Sequence, residues 1–162
     1  DALSLTCPLL IPLAAVLAYA PALSGAFHYD DEHSVGENFH IRSLASPLRF
    51  FIDPEQFSVD ADKAMYRPLV VLSLALNYAM GDRDSRVFLG FNLLAHIGCA
   101  MAVWWLAGWL GAPPVGALAA GLLFAVHPLC SEPVNYVSAR SESMAVLLGL
   151  AGVGLWLRRH TS

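Results

Sequence analysis

Long apolar runs alternate with short polar stretches along this chain. Residues 2–27 contain no Asp, Glu, Lys or Arg, and residues 87–131 form a second run of 45 residues that also lacks them. A bilayer core of about 30 Å needs roughly 20 apolar residues when they form a helix. The first run therefore predicts one membrane span, over residues 3–27, and the second run predicts two.

The second run is divided at residues 111–114, which have the sequence Gly-Ala-Pro-Pro. Because proline cannot continue a helix interior, this motif predicts a tight turn between spans at 87–110 and 113–127. The uncharged run at 68–80 is only 13 residues long, which is too short to cross and predicts an amphipathic helix at the membrane interface.

A last apolar run ends at Arg158 and Arg159 and predicts a fourth span, over residues 140–157. Lys and Arg beside span ends favour the cytoplasmic side, so loops 28–86 and 128–139 are predicted to be external. The expected fold class is an all-α membrane protein with about four transmembrane helices and a long first external loop that contains interfacial helices.

The composition supports a membrane protein and excludes one class of partner. The chain is 57% hydrophobic and 14% charged, with a mean hydropathy of +0.56, whereas soluble domains are about 25% charged. Its net charge is -4, so no basic surface is predicted and no nucleic-acid partner is expected. Its three cysteines are an odd number and do not indicate a disulfide framework.

Two polar segments flank the predicted spans. The first polar segment, residues 25–38, is GAFHYDDEHSVGEN, and the second polar segment, residues 127–142, is HPLCSEPVNYVSARSE. The predicted topology places both segments in the external compartment. Carboxylates that are partly desolvated and close to like charges gain proton affinity, which suits a general base or a cation ligand. A solvated loop is the alternative for any one of these acids.

The order and spacing of four stretches resemble the transmembrane and tetratricopeptide-repeat O-mannosyltransferase-like family: FHYDDEHSVGEN, MYRPLVVLSLALNYAMGD, NLLAHIGCA and LLFAVHPLCSEPVNYVSARSESM. The family is similar to the wider group of membrane glycosyltransferases with the GT-C fold. The resemblance implies that residues 1–162 form the N-terminal part of a GT-C transmembrane domain. We expect these residues to be inactive alone, because such enzymes continue through several more spans.

The resemblance also implies a reaction and a place for it. A sugar, mannose or a similar one, would move from a polyprenyl-phosphate-linked donor in the membrane lipid to a protein or glycan acceptor on the external face. The membrane would be a bacterial inner membrane with the site facing the periplasm, or an endoplasmic reticulum membrane with the site facing the lumen. In such enzymes an Asp of the first external loop is the base, which here is Asp30 or Asp31.

Other polar residues suit the donor phosphate. The guanidinium groups of Arg67 and Arg140 could each hold two phosphate oxygens at once. His127 is a further candidate for binding the donor phosphate or the acceptor. The family resemblance places Glu142 near the phosphate or a metal, so the possible cofactor is a divalent cation, Mg²⁺ or Mn²⁺. His28 and His33 bracket the acids of the first polar segment and could bind a divalent metal together with them, but their spacing matches no closed zinc pattern, and ordinary polar loop side chains are the alternative.

Two other classes of function stay open. One is a membrane transporter whose external acids attract cations, and the other is a non-catalytic subunit of a membrane assembly. A transporter predicts ionisable residues along a path through the spans, where only His96 lies away from a span end. Asn92 lies four residues before His96 on the same helix face, and the two side chains predict interhelical hydrogen bonds.

Overall fold

The computed structural model describes residues 8–161, whose regular secondary structure is helical, with no strand among them. The start of the first predicted span, residues 3–7, lies outside the described residues. The α-helices are α1 (Leu10–Tyr19), α2 (Pro68–Gly81), α3 (Ser85–Trp109), α4 (Pro114–Ala125), α5 (Ser131–Asn135) and α6 (Arg140–Thr161). The all-α class is confirmed for this part of the chain.

Short helical turns fill the segments between these helices. A π-helical turn covers Glu32–Gly36, and 3₁₀ turns cover Ala20–Ser24, His40–Arg42, Pro47–Phe51, Pro54–Phe57, Ala61–Lys63 and Pro128–Cys130. Several of these turns have proline in their first two positions, where its fixed φ favours the turn and its missing N–H costs nothing. The predicted external loop therefore has a folded backbone.

By length and composition, α3 is long and apolar enough to cross a membrane. Helix α4 would count as a second crossing if it is taken together with Pro128–Asn135, from which it bends by 49°. Helix α1 with its 3₁₀ extension, Leu10–Ser24, and helix α2 are shorter apolar helices. In α6 the uncharged run between Glu142 and Arg158 has 15 residues, which span about 22 Å. The predicted number of four spans stays a prediction.

Two apolar clusters hold the helices together. In the first cluster the loop residues Val35, Ile41 and Phe57 pack against Leu74 of α2 and Phe88 of α3. In the second cluster α1, α3 and α4 meet through residues that include Ile11, Ala15, Leu93, Ala100 and Ala125. Helix α3 takes part in both clusters, so it links the folded loop to the apolar helices.

The turn predicted at residues 111–114 is confirmed. Gly111 follows α3 with φ +91°, a left-handed conformation that favours glycine, and α4 begins at Pro114. The two helices then pack closely at Gly121, where an added Cβ would lie 2.8 Å from Cβ of Trp104 and 3.3 Å from the carbonyl oxygen of Ala100.

Helix α2 forms where the short uncharged run predicts it, and one side of it is buried on the loop through Val70, Val71 and Leu74. Its exposed side carries Leu69 and Met80 and no charged residue, so the expected amphipathic pattern is wrong. Its position at a membrane interface stays a prediction.

Polar side chains within α3 bond to neighbouring segments. The Asn92 amide donates to the carbonyl oxygen of Tyr136 at 3.0 Å, and Nε2 of His96 lies 3.0 Å from the carbonyl oxygen of Ala125. Oδ1 of Asn92 also accepts from Arg140 of α6 at 3.0 Å, so the predicted interhelical hydrogen bonds are confirmed for both residues. They also give His96 a structural partner on α4.

Candidate active site

The two polar segments meet at Asp31, whose side chain is 1% exposed. Its Oδ1 accepts hydrogen bonds from the backbone N–H and the hydroxyl of Ser138, both at 2.8 Å. Its Oδ2 accepts from the N–H groups of Val137, at 3.4 Å, and His28, at 3.2 Å. A buried carboxylate needs such donors because desolvation without them is costly. Asp31 therefore joins segments that are more than 100 residues apart in the chain.

Further hydrogen bonds support the same junction. The hydroxyls of Ser34 and Ser138 lie 2.9 Å apart, and the N–H of Asp30 donates to the Tyr136 hydroxyl at 3.0 Å. The turn that precedes them is tight: the N–H of Asp31 bonds to the carbonyl oxygen of His28 at 2.9 Å. Tyr29 sits within this turn at φ +46°, a conformation that costs a non-glycine residue about 1–3 kcal/mol. The turn therefore directs the side chains of Asp30 and Asp31 into different surroundings.

The side chain of Asp30 is 57% exposed and is surrounded by donors. Its Oδ1 lies 3.4 Å from Nε2 of His33 and 3.6 Å from Nζ of Lys63. A hydrogen bond from the Tyr136 hydroxyl lowers the pKa of Asp30 below its ordinary value, and His33 and Lys63 lower it further, while partial burial opposes them. Asp30 is therefore an accessible carboxylate that is ionised at neutral pH.

Asp30 opens into a cleft of about 520 Å³ between the folded loop and the start of α6. Both polar segments contribute to its walls, and so does the stretch that precedes α2. The lining residues include Asp30, His33, Asp62, Lys63, Arg67, Glu132, Tyr136, Ser138, Ser141 and Glu142. Four carboxylates and two cationic side chains thus face one space.

Two of the predicted phosphate-site residues lie on this cleft. Arg67 is half-buried, its guanidinium lies 5.2 Å from the centre of the Phe57 ring, and its Nη1 donates to the Ser141 hydroxyl at 3.3 Å. Glu142 is exposed in the first turn of α6 and lines the same cleft. The structure therefore brings Arg67, Glu142 and Asp30 together, while their roles stay predictions.

Arg140 does not line the cleft, contrary to its predicted role as a phosphate partner. It is fully buried, and its guanidinium donates to Oδ1 of Asn92, to the hydroxyl of Ser73 and to the carbonyl oxygen of Phe88, each at 3.0 Å. The Phe91 ring lies 4.6 Å from the guanidinium carbon. Because these contacts occupy all three guanidinium nitrogens, Arg140 has a structural position between α2, α3 and α6.

His127 is also away from the cleft. Its Nδ1 accepts from the N–H of Leu129 at 3.2 Å, which caps the turn at Pro128–Cys130, and its carbonyl oxygen accepts from the Tyr19 hydroxyl at 2.9 Å. It therefore closes the bend after α4 and is not placed to bind a ligand in the cleft.

The sequence does not predict that three further residues, Tyr136, Ser138 and Lys63, line the same cleft as Asp30. Tyr136 and Ser138 lie within the second polar segment, but the sequence does not show which way their side chains point. Lys63 lies in the long loop, some 30 residues from Asp30, and only the folding of that loop brings the two charges together. His33 was considered as a metal ligand, but its position beside Asp30 was not foreseen.

The carboxylates of the cleft do not form a cation site by themselves. Within residues 8–161, no three His, Cys, Asp or Glu side chains converge as they would around a metal ion. Glu142 and Glu132 offer single carboxylates from different helices. We therefore assign no chemical step to a cation.

Curated relatives of this sequence include several protein O-mannosyl-transferases. The chain is 32% identical over 149 residues to protein O-mannosyl-transferase Tmtc1 of Drosophila melanogaster, across 90% of this chain. It is 32% identical over 159 residues to Tmtc2 of the same organism and 30% identical over 143 residues to human TMTC1, across 94% and 85% of this chain. The family resemblance is confirmed.

The matched region is a small part of each relative. The chain spans 17% of the length of Tmtc1, 17% of Tmtc2 and 16% of human TMTC1. No family model matches the sequence, and no solved structure matches the fold.

Proposed function

We propose that this chain, which is related over most of its length to protein O-mannosyl-transferases, is part of a membrane glycosyltransferase with the GT-C fold. It moves a sugar, mannose or a similar one, from a polyprenyl-phosphate-linked donor to a protein or glycan acceptor. The observation that carries the proposal is the exposed carboxylate of Asp30, which shares a cleft with Lys63 and Arg67. A base and phosphate-binding cations are the groups that transfer from a sugar phosphate requires.

Asp30 is the base in this proposal. Its carboxylate takes the proton of an acceptor hydroxyl while the acceptor oxygen forms a bond to the anomeric carbon of the sugar. The bond from that carbon to the phosphate oxygen breaks, and the phosphate leaves with the electron pair. Direct displacement of this kind inverts the configuration at the sugar and needs one base. Asp31 is not the base in this proposal, because it is buried and its carboxylate accepts four hydrogen bonds.

Arg67 and Lys63 hold the leaving phosphate. Arg67 rests on the Phe57 ring, which restricts its side chain, and the exposed Lys63 can follow the charge as it develops. The carboxylates Glu132 and Glu142 repel a phosphate, so the donor lies toward the two cations. A cation between Glu142 and the phosphate would relieve this repulsion, but within residues 8–161 no three His, Cys, Asp or Glu side chains converge to fix its position.

The cleft opens on the external side of the membrane in this proposal. The proposed spans leave two loops, 28–86 and 128–139, on that side; the spans cover residues 3–27, 87–110, 113–127 and 140–157. The two loops supply all the cleft-lining residues that do not belong to α6. The length of α3 supports one of these spans directly. The compartment is the periplasm if the membrane is a bacterial inner membrane, and the lumen if it is the endoplasmic reticulum.

The proposal is tested by Asp30→Asn in the intact protein. Asparagine keeps the shape of aspartate and loses the proton acceptor, so transfer from a polyprenyl-phosphate mannose to a peptide should fall about 10²- to 10⁴-fold. The matched control is Glu32→Gln, because Glu32 is an exposed acid two residues away that does not line the cleft. Near-normal turnover by Asp30→Asn would refute the proposed base.

A further inference from the structure

His33 has a buried nitrogen that the proposed reaction does not use. Its side chain is 11% exposed, and Nδ1 lies 2.9 Å from the Ser58 hydroxyl. Nε2 is buried and makes no hydrogen bond to any described residue, although Oδ1 of Asp30 is 3.4 Å away. An unpartnered buried polar atom costs about 1–3 kcal/mol. A nitrogen held in this position beside the Asp30 carboxylate therefore calls for a functional explanation.

The neighbours of His33 indicate which nitrogen carries the proton. The Ser58 oxygen already accepts from the N–H of Asp60 at 2.9 Å, which leaves the hydroxyl hydrogen of Ser58 free to be donated to Nδ1. The opposite tautomer would direct the lone pair of Nε2 at the negative charge of Asp30. Electrostatic repulsion disfavours that arrangement, so the proton belongs on Nε2.

The ring of His33 is also held in place from other directions. The Phe57 ring packs against it edge-on, with 6.5 Å between the ring centres. The backbone carbonyl of His33 accepts from the N–H of Val59 at 3.3 Å, so the loop at 57–59 fixes both the ring and the backbone. A donor held this rigidly can orient an exposed carboxylate.

We propose that His33 is a positioning residue for the Asp30 base, and this inference rests on the proposed function. The N–H at Nε2 donates to Oδ1 of Asp30 and holds the carboxylate toward the acceptor hydroxyl. The separation of 3.4 Å between Nε2 and Oδ1 shortens when the sugar donor and the acceptor molecule fill the cleft, because hydrogen bonds between catalytic groups are often long in unliganded enzymes.

Two substitutions separate positioning from space filling. In His33→Gln the amide nitrogen can take the place of Nε2 and still donate to Asp30, whereas in His33→Asn it takes the place of Nδ1 and reaches only Ser58. We expect His33→Gln to keep kcat within about threefold, and His33→Asn to lose about tenfold or more with little change in KM for the donor. Equal kcat values in both variants would overturn the inference.

A second measurement does not depend on turnover. If Nε2 contacts Asp30 in the filled cleft, the Tm changes of Asp30→Asn and His33→Asn, measured on the purified intact protein with a polyprenyl-phosphate sugar bound, will not sum to the Tm change of the double variant. Additive Tm changes would overturn the contact. Retained turnover by Asp30→Asn would refute the base and the role of His33 together. Equal turnover by the two His33 variants, with Asp30→Asn inactive, would refute the role of His33 alone.

Discussion

Asp30 and Asp31 are neighbours in the chain with opposite surroundings. Asp31 is buried and accepts four hydrogen bonds, whereas Asp30 is exposed to the cleft beside Lys63. The left-handed backbone of Tyr29 begins the turn that separates them. One carboxylate therefore stabilises the junction of the two polar segments, and the other is presented to a ligand.

The burial of Asp31 predicts that Asp31→Asn destabilises the protein. Three backbone N–H groups donate to the Asp31 carboxylate, and each of its two oxygens accepts from at least one of them. In asparagine an amide nitrogen replaces one of these oxygens, so it would face at least one N–H group, and two donors cannot bond to each other. We expect a loss of about 3 kcal/mol in the free energy of unfolding, measured by thermal or denaturant unfolding in detergent. Asp30→Asn is the control, because its side chain is 57% exposed and the substitution should reduce stability much less. Equal stability of the two variants would contradict the structure.

The Tyr136 hydroxyl predicts a pH effect. Asp30 acts as a base only when it is ionised, so kcat/KM falls as pH drops through the pKa of Asp30, which the hydrogen bond from Tyr136 lowers. Tyr136→Phe removes that hydrogen bond, so the acidic limb of the kcat/KM profile should move to higher pH. Tyr29→Phe is the matched control, because Tyr29 is 92% exposed and has no part in lowering this pKa. An unmoved acidic limb in Tyr136→Phe would contradict the assignment.

At the scale of elements, the length of each helix limits what it can do. Helix α2 has 14 residues, which extend about 21 Å and cannot cross a core of about 30 Å. It buries one side on the folded loop and exposes apolar side chains on the other. Helix α3, with 25 residues, reaches about 37 Å and can cross. The segment between the two helices, which contains Arg83, should therefore lie on the same side as the cleft.

This topology is tested by Arg83→Cys in a protein whose native cysteines have been replaced. Because α2 does not cross, a membrane-impermeant thiol reagent should label this cysteine in intact cells or sealed vesicles of known orientation. Ala112→Cys, in the turn after α3, is the control and should be labelled only after permeabilisation. The reverse pattern would refute the proposed orientation.

At the scale of the whole molecule, the cleft exists because distant segments pack together. The loop after α1 folds onto α2 and α3, and this brings residues 30–34 against residues 136–138. Arg140 supports the same arrangement from inside, since it bonds to α2 and α3 from the first turn of α6. The site therefore depends on the packing of three helices as well as on the residues that line it.

The junction predicts a cross-link between the two polar segments. The hydroxyls of Ser34 and Ser138 are 2.9 Å apart, so Ser34→Cys with Ser138→Cys should form a disulfide under mild oxidation without large backbone movement. Peptide mass spectrometry under non-reducing conditions would detect it in a background without native cysteines. Each single cysteine variant is the control and should stay a monomeric thiol. Free thiols in the double variant would show that the segments are further apart than the structure places them.

The sequence by itself determined the helical class, the turn after α3 and the ends of most helices. These features follow from local chemistry: charge-free runs favour helices, and the Gly-Ala-Pro-Pro motif cannot continue one. It also located both polar segments and the pair of acids, because charges in an apolar chain are few and conspicuous. The family resemblance came from the same local stretches.

Only the tertiary structure decided which charged side chains meet. The sequence does not show which of Asp30 and Asp31 is exposed, that Arg140 is buried or that Lys63 enters the cleft, because the direction of a side chain depends on contacts with residues far away in the chain. Arg140 looks like a surface cation in a polar segment, yet Asn92 and Ser73 on two other helices supply the acceptors that allow its burial. The long-range packing that sets these partners leaves no local signal in the sequence.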